Sequence, residues 1–285
     1  MWKQKLGVSL AIEYQKPMPE IIKLVKQIGF DAISPEWSNI DALNLIAEEA
    51  KKQGLIIQSL HAPYHGAAQL WSEDDTVNSS ALDKIFQSLD GCKKHGIPVL
   101  VMHTWIGFTD IPSPTKKGLE TYGKIVAKAK KYGVKIAFEN TEGFDHFETL
   151  MNYFNGEETV GFCWDSGHEI CYNYSKDLLA QYGDRLIMTH LNDNLGISKF
   201  DGKIFWTDDL HLLPYDGVAD WDKIAVRLSK AKSLEILNFE LNIRNKPNRY
   251  ENVCYEKMSI EEYFTEIYKR ACRFAYRLLA VKNEI

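Results

Sequence analysis

Gly161-Phe162-Cys163-Trp164-Asp165-Ser166-Gly167-His168 is a short apolar run that ends in a carboxylate, with an imidazole three residues later. Such a run reads as a strand buried on both faces, as in a parallel sheet. The abrupt Asp and His mark the point where the chain leaves the sheet and enters a reactive site. Working outward, the same pattern recurs. Residues 55–60 run into His61, 99–102 into His103, 135–138 into Glu139, 186–189 into His190, and 234–239 into Glu240. Two earlier runs, 6–12 and 32–37, read as strands one and two.

Helical patterns fill the intervals. Residues 17–28 carry Ile21, Ile22, Leu24, Val25 and Ile28 at helical spacing, with Pro17 at the start and Gly29 at the end. Residues 41–53 read as a helix with Asp41 as N-cap and Gly54 as its stop. Further helices are expected at 75–94, 115–132, 145–154, 175–182 and 221–231. A closing amphipathic helix is expected at 259–281, opened by the capping box Ser259-Ile260-Glu261-Glu262. Eight strands alternating with helices predict a single α/β domain over residues 1–285, a closed parallel (β/α)8 barrel, or TIM barrel. Two long segments, 191–220 and the one after Glu240, are the least regular. Loops of that length in a compact domain usually serve function.

Bulk composition fits this reading. Of 285 residues, 45% are hydrophobic and 26% charged, which is ordinary for a globular protein. The net charge of -5 removes the usual electrostatic footprint of a nucleic-acid partner. No apolar run approaches the roughly 20 residues that cross a bilayer, and residues 1–12 lack the pattern of a signal peptide. Cys92, Cys163, Cys171, Cys254 and Cys272 are odd in number and without CxxC spacing, as for reduced thiols in a cytoplasmic protein.

In a barrel, the C-terminal strand ends share one rim. His61, His103, Glu139, Asp165, His190 and Glu240 therefore converge, and His168, Asp209 and His211 extend the set. A single strand-end His more often serves as a hydrogen-bonded rim residue, and a lone Glu can serve a salt bridge. Six such coincidences, with no Lys or Arg directly at those ends, point instead to a divalent cation. Without one, the carboxylates would repel each other strongly.

The fragments Ser59-Leu60-His61-Ala62-Pro63-Tyr64, Met102-His103, Phe138-Glu139-Asn140, Trp164-Asp165-Ser166-Gly167-His168, Thr189-His190-Leu191-Asn192-Asp193, Asp209-Leu210-His211-Leu212-Leu213-Pro214 and Phe239-Glu240 resemble the xylose isomerase-like barrel superfamily. Its members include sugar and sugar-phosphate isomerases and epimerases, inosose-type dehydratases and endonuclease IV enzymes. Resemblance to the 3-epimerase branch implies one divalent metal, manganese first and zinc, cobalt or magnesium otherwise. Its ligands would be Glu139, Asp165, His190 and Glu240, with His168 touching substrate. Resemblance to the endonuclease IV branch implies three zinc ions. Their nine ligands would be that set plus His61, His103, His168, Asp209 and His211.

The acidic balance and the segment Leu212-Leu213-Pro214-Tyr215-Asp216-Gly217-Val218-Ala219-Asp220-Trp221 favour the sugar branch. So do the aromatics Trp37, Tyr64, Trp105, Trp164 and Trp206, whose flat rings suit sugar faces or, for Trp164 equally, barrel packing. The implied chemistry is proton abstraction next to a carbonyl through a metal-stabilised enediolate, with Glu139 and Glu240 as acid and base and His168 orienting a substrate oxygen. Glu36, Tyr64, Trp105 and Asp193 are expected to line a small sugar or polyol substrate, with salt-bridge or turn roles as comparable alternatives for Glu36 and Asp193. Lys199, Lys203, Arg244, Lys246 and Arg249 would meet a phosphate if the substrate carries one, or else are solvated loop charges. The alternatives are a zinc phosphodiesterase on abasic DNA and a metal-dependent polyol or keto-acid dehydratase. A homo-oligomer built through the outer helices is left open.

Overall fold

The computed structural model describes residues 4–11, 14, 16–199 and 201–284. Residue 12, the last of the first expected strand, lies outside the described residues. Among the described residues, nine strand segments make the barrel wall: β1 (Lys5–Leu10), β2 (Ala32–Pro35), β3 (Ile56–Ile57), β4 (Leu60–His61), β5 (Val99–His103), β6 (Lys135–Glu139), β7 (Val160–Asp165), β8 (Leu186–His190) and β9 (Ile236–Phe239). All pair in parallel, in two arcs ordered β3-β2-β1-β9 and β4-β5-β6-β7-β8. Parallel bridges at Glu36 with His61 and at Leu191 with Phe239 stitch the arcs into a ring. The expected third strand, 55–60, is split into β3 and β4, so each arc ends inside it. Both seams fall beside candidate site residues at the C-terminal rim.

The helices are α1 (Met18–Ile28), α2 (Ile40–Gln53), α3 (Asp75–His95), α4 (Lys116–Tyr132), α5 (Phe144–Tyr153), α6 (Ser166–Cys171), α7 (Leu178–Tyr182), α8 (Trp221–Lys230), α9 (Val253–Glu256) and α10 (Ile260–Glu284). Residues at helical spacing bury one face of each long helix against the outward side of the strands. Examples are Ile21, Ile22 and Val25 on α1, and Phe264, Ile267, Ala271, Phe274 and Leu278 on α10. These meet Leu6, Val8, Leu10, Ile33, Leu100, Phe138, Phe162 and Phe239 from the strands. Burying each such side chain stabilises the fold by about 1.5–3 kcal/mol before entropy is counted. Among the described residues, no helix is long and apolar enough to cross a membrane.

Local chemistry explains where elements start. The α2 N-cap is Asn39, whose Oδ1 accepts the Ala42 N–H at 2.9 Å, and not Asp41, which lies inside the first turn. The capping box before α10 forms as read: Glu262 N–H donates to Ser259 Oγ, and Ser259 N–H to Glu262 Oε2. No helix begins at Ser175. Tyr174 and Ser175 take left-handed φ values of 53° and 55°, which break the chain before α7. The chain turns helical earlier, directly after Asp165. That carboxylate caps α6 by accepting the His168 N–H at 2.6 Å.

Gly118 on α4 shows how tightly the layers close. A β-carbon there would lie 2.0 Å from Cε3 of Trp71, whose ring is buried and whose N–H donates to Thr104 O. A β-carbon at Gly123, on the same helix, meets nothing within 4 Å. Gly118→Ala is therefore expected to cost about 1–3 kcal/mol through overpacking. Gly123→Ala is expected to gain roughly 0.5–1 kcal/mol. Urea denaturation of the two variants checks this; equal midpoints would contradict it.

Candidate metal centre

Strands β4 to β9 bring six expected residues to one rim, and the loop after β8 adds Asp209 and His211. Glu139, at the end of β6 and fully buried, is the hub. Its Oε2 faces His61 Nε2 at 3.3 Å and His103 Nε2 at 3.4 Å. Its Oε1 faces His190 Nδ1 at 2.9 Å and His168 Nδ1 at 3.4 Å. Glu240 Oε2 reaches the same His190 Nδ1 at 3.0 Å. Glu139, Asp165, His190 and Glu240 offer ligand atoms that all lie within 4.8 Å of one another. So do His61, His103 and Glu139, and also Asp165, His168 and His211. Asp209 Oδ1 lies 2.8 Å from His211 Nε2 and 3.3 Å from His168 Nε2.

The donors suit cations better than one another. Asp209 Oδ1, His168 Nδ1 and His103 Nδ1 are buried without a hydrogen-bond partner among the described residues, despite the close approaches. Two imidazoles are turned by the backbone. His61 Nδ1 lies 2.8 Å from Ala62 O, and His211 Nδ1 lies 3.1 Å from Glu240 O. Donation there leaves each Nε2 lone pair aimed into the site, as a metal-ligating His requires. His211 holds this pose at a left-handed φ of 48°. Such strain persists where surrounding structure imposes it.

Carboxylates and imidazoles shift one another's titration in this cluster. Burial opposes charging of the imidazoles, yet Asp165 and Asp209 hold His168 well above the usual range, and Cys163, Glu240 and Glu139 do the same for His190. His211 rises to about 9 beside Asp209, against the effect of burial. Burial favours the neutral form of Glu139 and Glu240, but facing imidazoles keep Glu139 well below the carboxylate range and hold Glu240 at about 2. Asp165 goes the other way, to about 6, because burial outweighs its imidazole neighbours.

Several supporting residues carry no role in the sequence reading. Asn192 Nδ2 donates to Asp165 Oδ2 at 2.8 Å. Asn140 brackets the Asp165 backbone, accepting its N–H and donating to its carbonyl. Gly167 makes room, since a β-carbon there would lie 1.8 Å from Asn192 Oδ1. The available signal was an Asn one residue after Glu139 and another two after His190. Cys163, two residues before Asp165 on β7, puts its sulfur within 4.8 Å of donors on Glu139 and His190.

The other expected contacts divide. Tyr64 lies on the rim, its ring centre 5.2 Å from that of His103, and the backbone of Glu36 bridges in parallel to that of His61. Asp193 does not face the site. It is fully buried and accepts N–H groups from Asn194, Tyr215, Ala219 and the Trp221 indole, which ties the long loop together. Trp105 is likewise turned away, stacked on His146 at 4.3 Å with its N–H donated to Gly107 O. Trp164 is barrel packing, with its N–H donated to Glu169, and Trp37 packs on α3 over Gly91. Trp206 is exposed on the long loop. Of the loop cations, Arg249 is spent on Asp208 and Glu251, and Lys203 lies near Asp201. Lys199 lies over the Phe205 ring. Lys246 lies 3.5 Å from Asp209 Oδ2.

The fold has known counterparts. A family model described as xylose isomerase-like TIM barrel matches residues 22–278, and the chain belongs to that family. The uncharacterized protein y4fM of Sinorhizobium fredii is 28% identical over 186 residues, 59% of this chain and 55% of its own length. A probable endonuclease 4 of Cenarchaeum symbiosum is 28% identical over 158 residues, 47% and 54% of the two chains. The chain thus spans about half the length of these curated relatives. Among solved structures, the IOLI protein with a bound zinc atom superposes with a TM-score of 0.75 at 20% identity, covering 96% of this chain and 99% of that one. D-psicose 3-epimerase, solved in the presence of D-fructose, gives 0.72 at 15% with the same coverage. These likenesses show the barrel fold.

Glu142, three residues after the hub, is a further buried carboxylate that sequence reading passed over. It accepts the Gly107 N–H at 3.0 Å and is pushed up to about 7 by burial. As pH rises from its ordinary value of 4.5 towards 7, the unfolded chain releases a proton that the folded chain keeps. Glu142 therefore subtracts stability across that window, and the loss is complete above 7. In metal-free protein, Glu142→Gln should become more stable relative to wild type by about 2–3 kcal/mol between pH 5 and pH 8. Urea titrations with chelator at both pH values measure it, and a pH-independent difference would refute it.

Proposed function

We propose that this protein is a divalent-metal-dependent isomerase or epimerase acting on a small polyhydroxylated substrate, a sugar or sugar phosphate, by moving a proton on the carbon next to a carbonyl. The observation that carries this reading is the four-residue group Glu139, Asp165, His190 and Glu240, delivered by four different strands with every ligand atom within 4.8 Å. Three carboxylates and one imidazole suit manganese; zinc, cobalt and magnesium are the alternatives. A cation held there supplies Lewis-acid stabilisation to the oxygen on which charge builds as the neighbouring C–H ionises.

The remaining chemistry belongs to the chain. Glu139 and Glu240 approach His190 Nδ1 from β6 and from beyond β9. One carboxylate removes the proton and the other returns it. Return to the opposite face of the same carbon gives an epimer, and return to the neighbouring carbon gives an isomer. Asp165 stays fixed, because Asn192 and Asn140 hold its side chain and backbone. His168, between Glu139 and Asp209, orients a substrate oxygen. Glu36 and Tyr64 border the substrate on the His61 and His103 side. The zinc atom in the IOLI structure and the epimerase function named for the second structural counterpart support this reading.

One observation favours a second reading, a multinuclear zinc phosphodiesterase of the endonuclease 4 kind. Glu139 turns one oxygen to His61 and His103 and the other to His190, so that these residues would serve as donors to more than one cation. Asp209, His168 and His211 form a third group. Against it stand the net charge of -5 and the commitment of Arg249 and Lys246 to carboxylates, where DNA phosphates call for unpaired cations.

Metal analysis of the purified protein separates the two. About one manganese, cobalt or magnesium per chain is expected; two or three zinc ions, with chelator-sensitive cleavage of an abasic-site duplex, would overturn the first reading. Under the first reading, a ketose panel in deuterium oxide should gain deuterium beside the carbonyl. Glu139→Gln and Glu240→Gln should each lower that exchange by at least about 10²-fold while keeping the wild-type circular dichroism spectrum. Wild-type exchange in either variant would remove the two-carboxylate mechanism.

A further inference from the structure

Beneath the rim, the interior of the barrel is divided by chemistry. Val99, Val101, Ala137, Cys163 and Met188 form a separate buried apolar cluster on β5 to β8. Alternation along a strand places Val101, Ala137, Cys163 and Met188 one layer below His103, Glu139, Asp165 and His190. On the opposite side the inward positions are polar. Ser34, Ser59 and Asn238 lie one layer below Glu36, His61 and Glu240, with Ser9 and Gln58 beside them, and all five are buried.

These polar side chains are only partly satisfied. Asn238 Nδ2 donates to Ser9 Oγ at 2.9 Å, and Gln58 Nε2 donates to Ile236 O at 3.3 Å. Four oxygens, Ser34 Oγ, Gln58 Oε1, Ser59 Oγ and Asn238 Oδ1, are closed off from solvent with no partner among the described residues. They gather in one place. Ser34 pairs with Ser9 in the β1–β2 register, and Gln58 N–H donates to Ile33 O, which sets Gln58 beside Ser34, with Ser59 next in the chain. Gln58 and Asn238 meet over Gly7 on β1, where a β-carbon would lie 3.0 Å from Gln58 Oε1 and 3.1 Å from Asn238 Oδ1. Unpaired buried groups of this kind cost as much as lost hydrogen bonds. Four together on one side of a barrel call for a ligand.

We propose that the polar half of the barrel is an internal hydration site, binding a cluster of ordered waters directly beneath Glu36, His61 and Glu240. Water fits the donor set. Hydroxyls accept and donate, the amide oxygens accept, and a buried water typically makes about three hydrogen bonds to groups otherwise unsatisfied. The apolar half offers no such partners and stays dry. The candidate ligands therefore stand on two floors, a dry one under Glu139, Asp165 and His190 and a wet one under His61 and Glu240. This site is independent of the reaction proposed above.

A high-resolution crystal structure of the wild-type protein should show density peaks within hydrogen-bond distance of Ser34 Oγ and Ser59 Oγ; a cavity without density would overturn the proposal. The Ser34→Ala/Ser59→Ala double variant should melt lower by roughly 2–4 °C for each hydroxyl removed, because the waters lose partners. An unchanged or higher melting temperature would mean that the hydroxyls stood dry, and would also overturn it. Wild-type melting should not change when sodium or potassium chloride is replaced by choline chloride. A fall of several degrees would assign the oxygens to a monovalent cation instead of water.

Discussion

The structure depends on one electrostatic constraint: Glu139, Asp165, Asp209 and Glu240 share a mostly buried rim with five imidazoles. Like charges at this spacing cannot all remain ionised in a site of low dielectric without a compensating positive charge. The imidazoles that face the carboxylates can supply part of that charge. His168, His190 and His211 are all held above their ordinary range by the carboxylates they face. Cation binding must therefore expel protons, which couples occupancy of the site to pH.

The barrel allows such crowding because six of the nine residues come from the ends of six different strands, and the wall is braced from outside by packed helices. Errors of position do not accumulate along one flexible loop. Where the chain leaves the wall, other devices take over. Asn192 and Asn140 hold Asp165, while backbone carbonyls turn His61 and His211. Asp193 gathers four N–H groups, so that the long loop carrying Asp209 and His211 arrives in one conformation.

Much of this was legible in the chain itself. A parallel strand buried on both faces is written as an apolar run, and its last residue must face the barrel mouth. Hence Asp165 after Phe162-Cys163-Trp164, and Glu139 after Ile136-Ala137-Phe138, could be placed on one rim before any coordinates. Asp193 and Trp105 could each be read two ways for a common reason. Both follow a ligand by two or three residues, and nothing in the local pattern says whether a polar or aromatic side chain beyond a strand end turns inward to the mouth or backward into its own loop. Asp193 turned back because four unpaired N–H groups were waiting there; Trp105 turned back because His146 offered it a ring to stack on.

The sequence by itself determined the fold class, the order of the strands and the identity of the nine candidate donors, because hydrophobic periodicity and strand-end chemistry are local signals. Only the tertiary structure decided how those donors group, with Glu139 turning one oxygen to His61 and His103 and the other to His190. It also decided that the floor beneath them is apolar on one side and polar on the other. Both facts depend on which side chains meet across the barrel axis, between strands far apart in the chain. Local pattern carries no distance information over that separation, and closure of the ring supplies it.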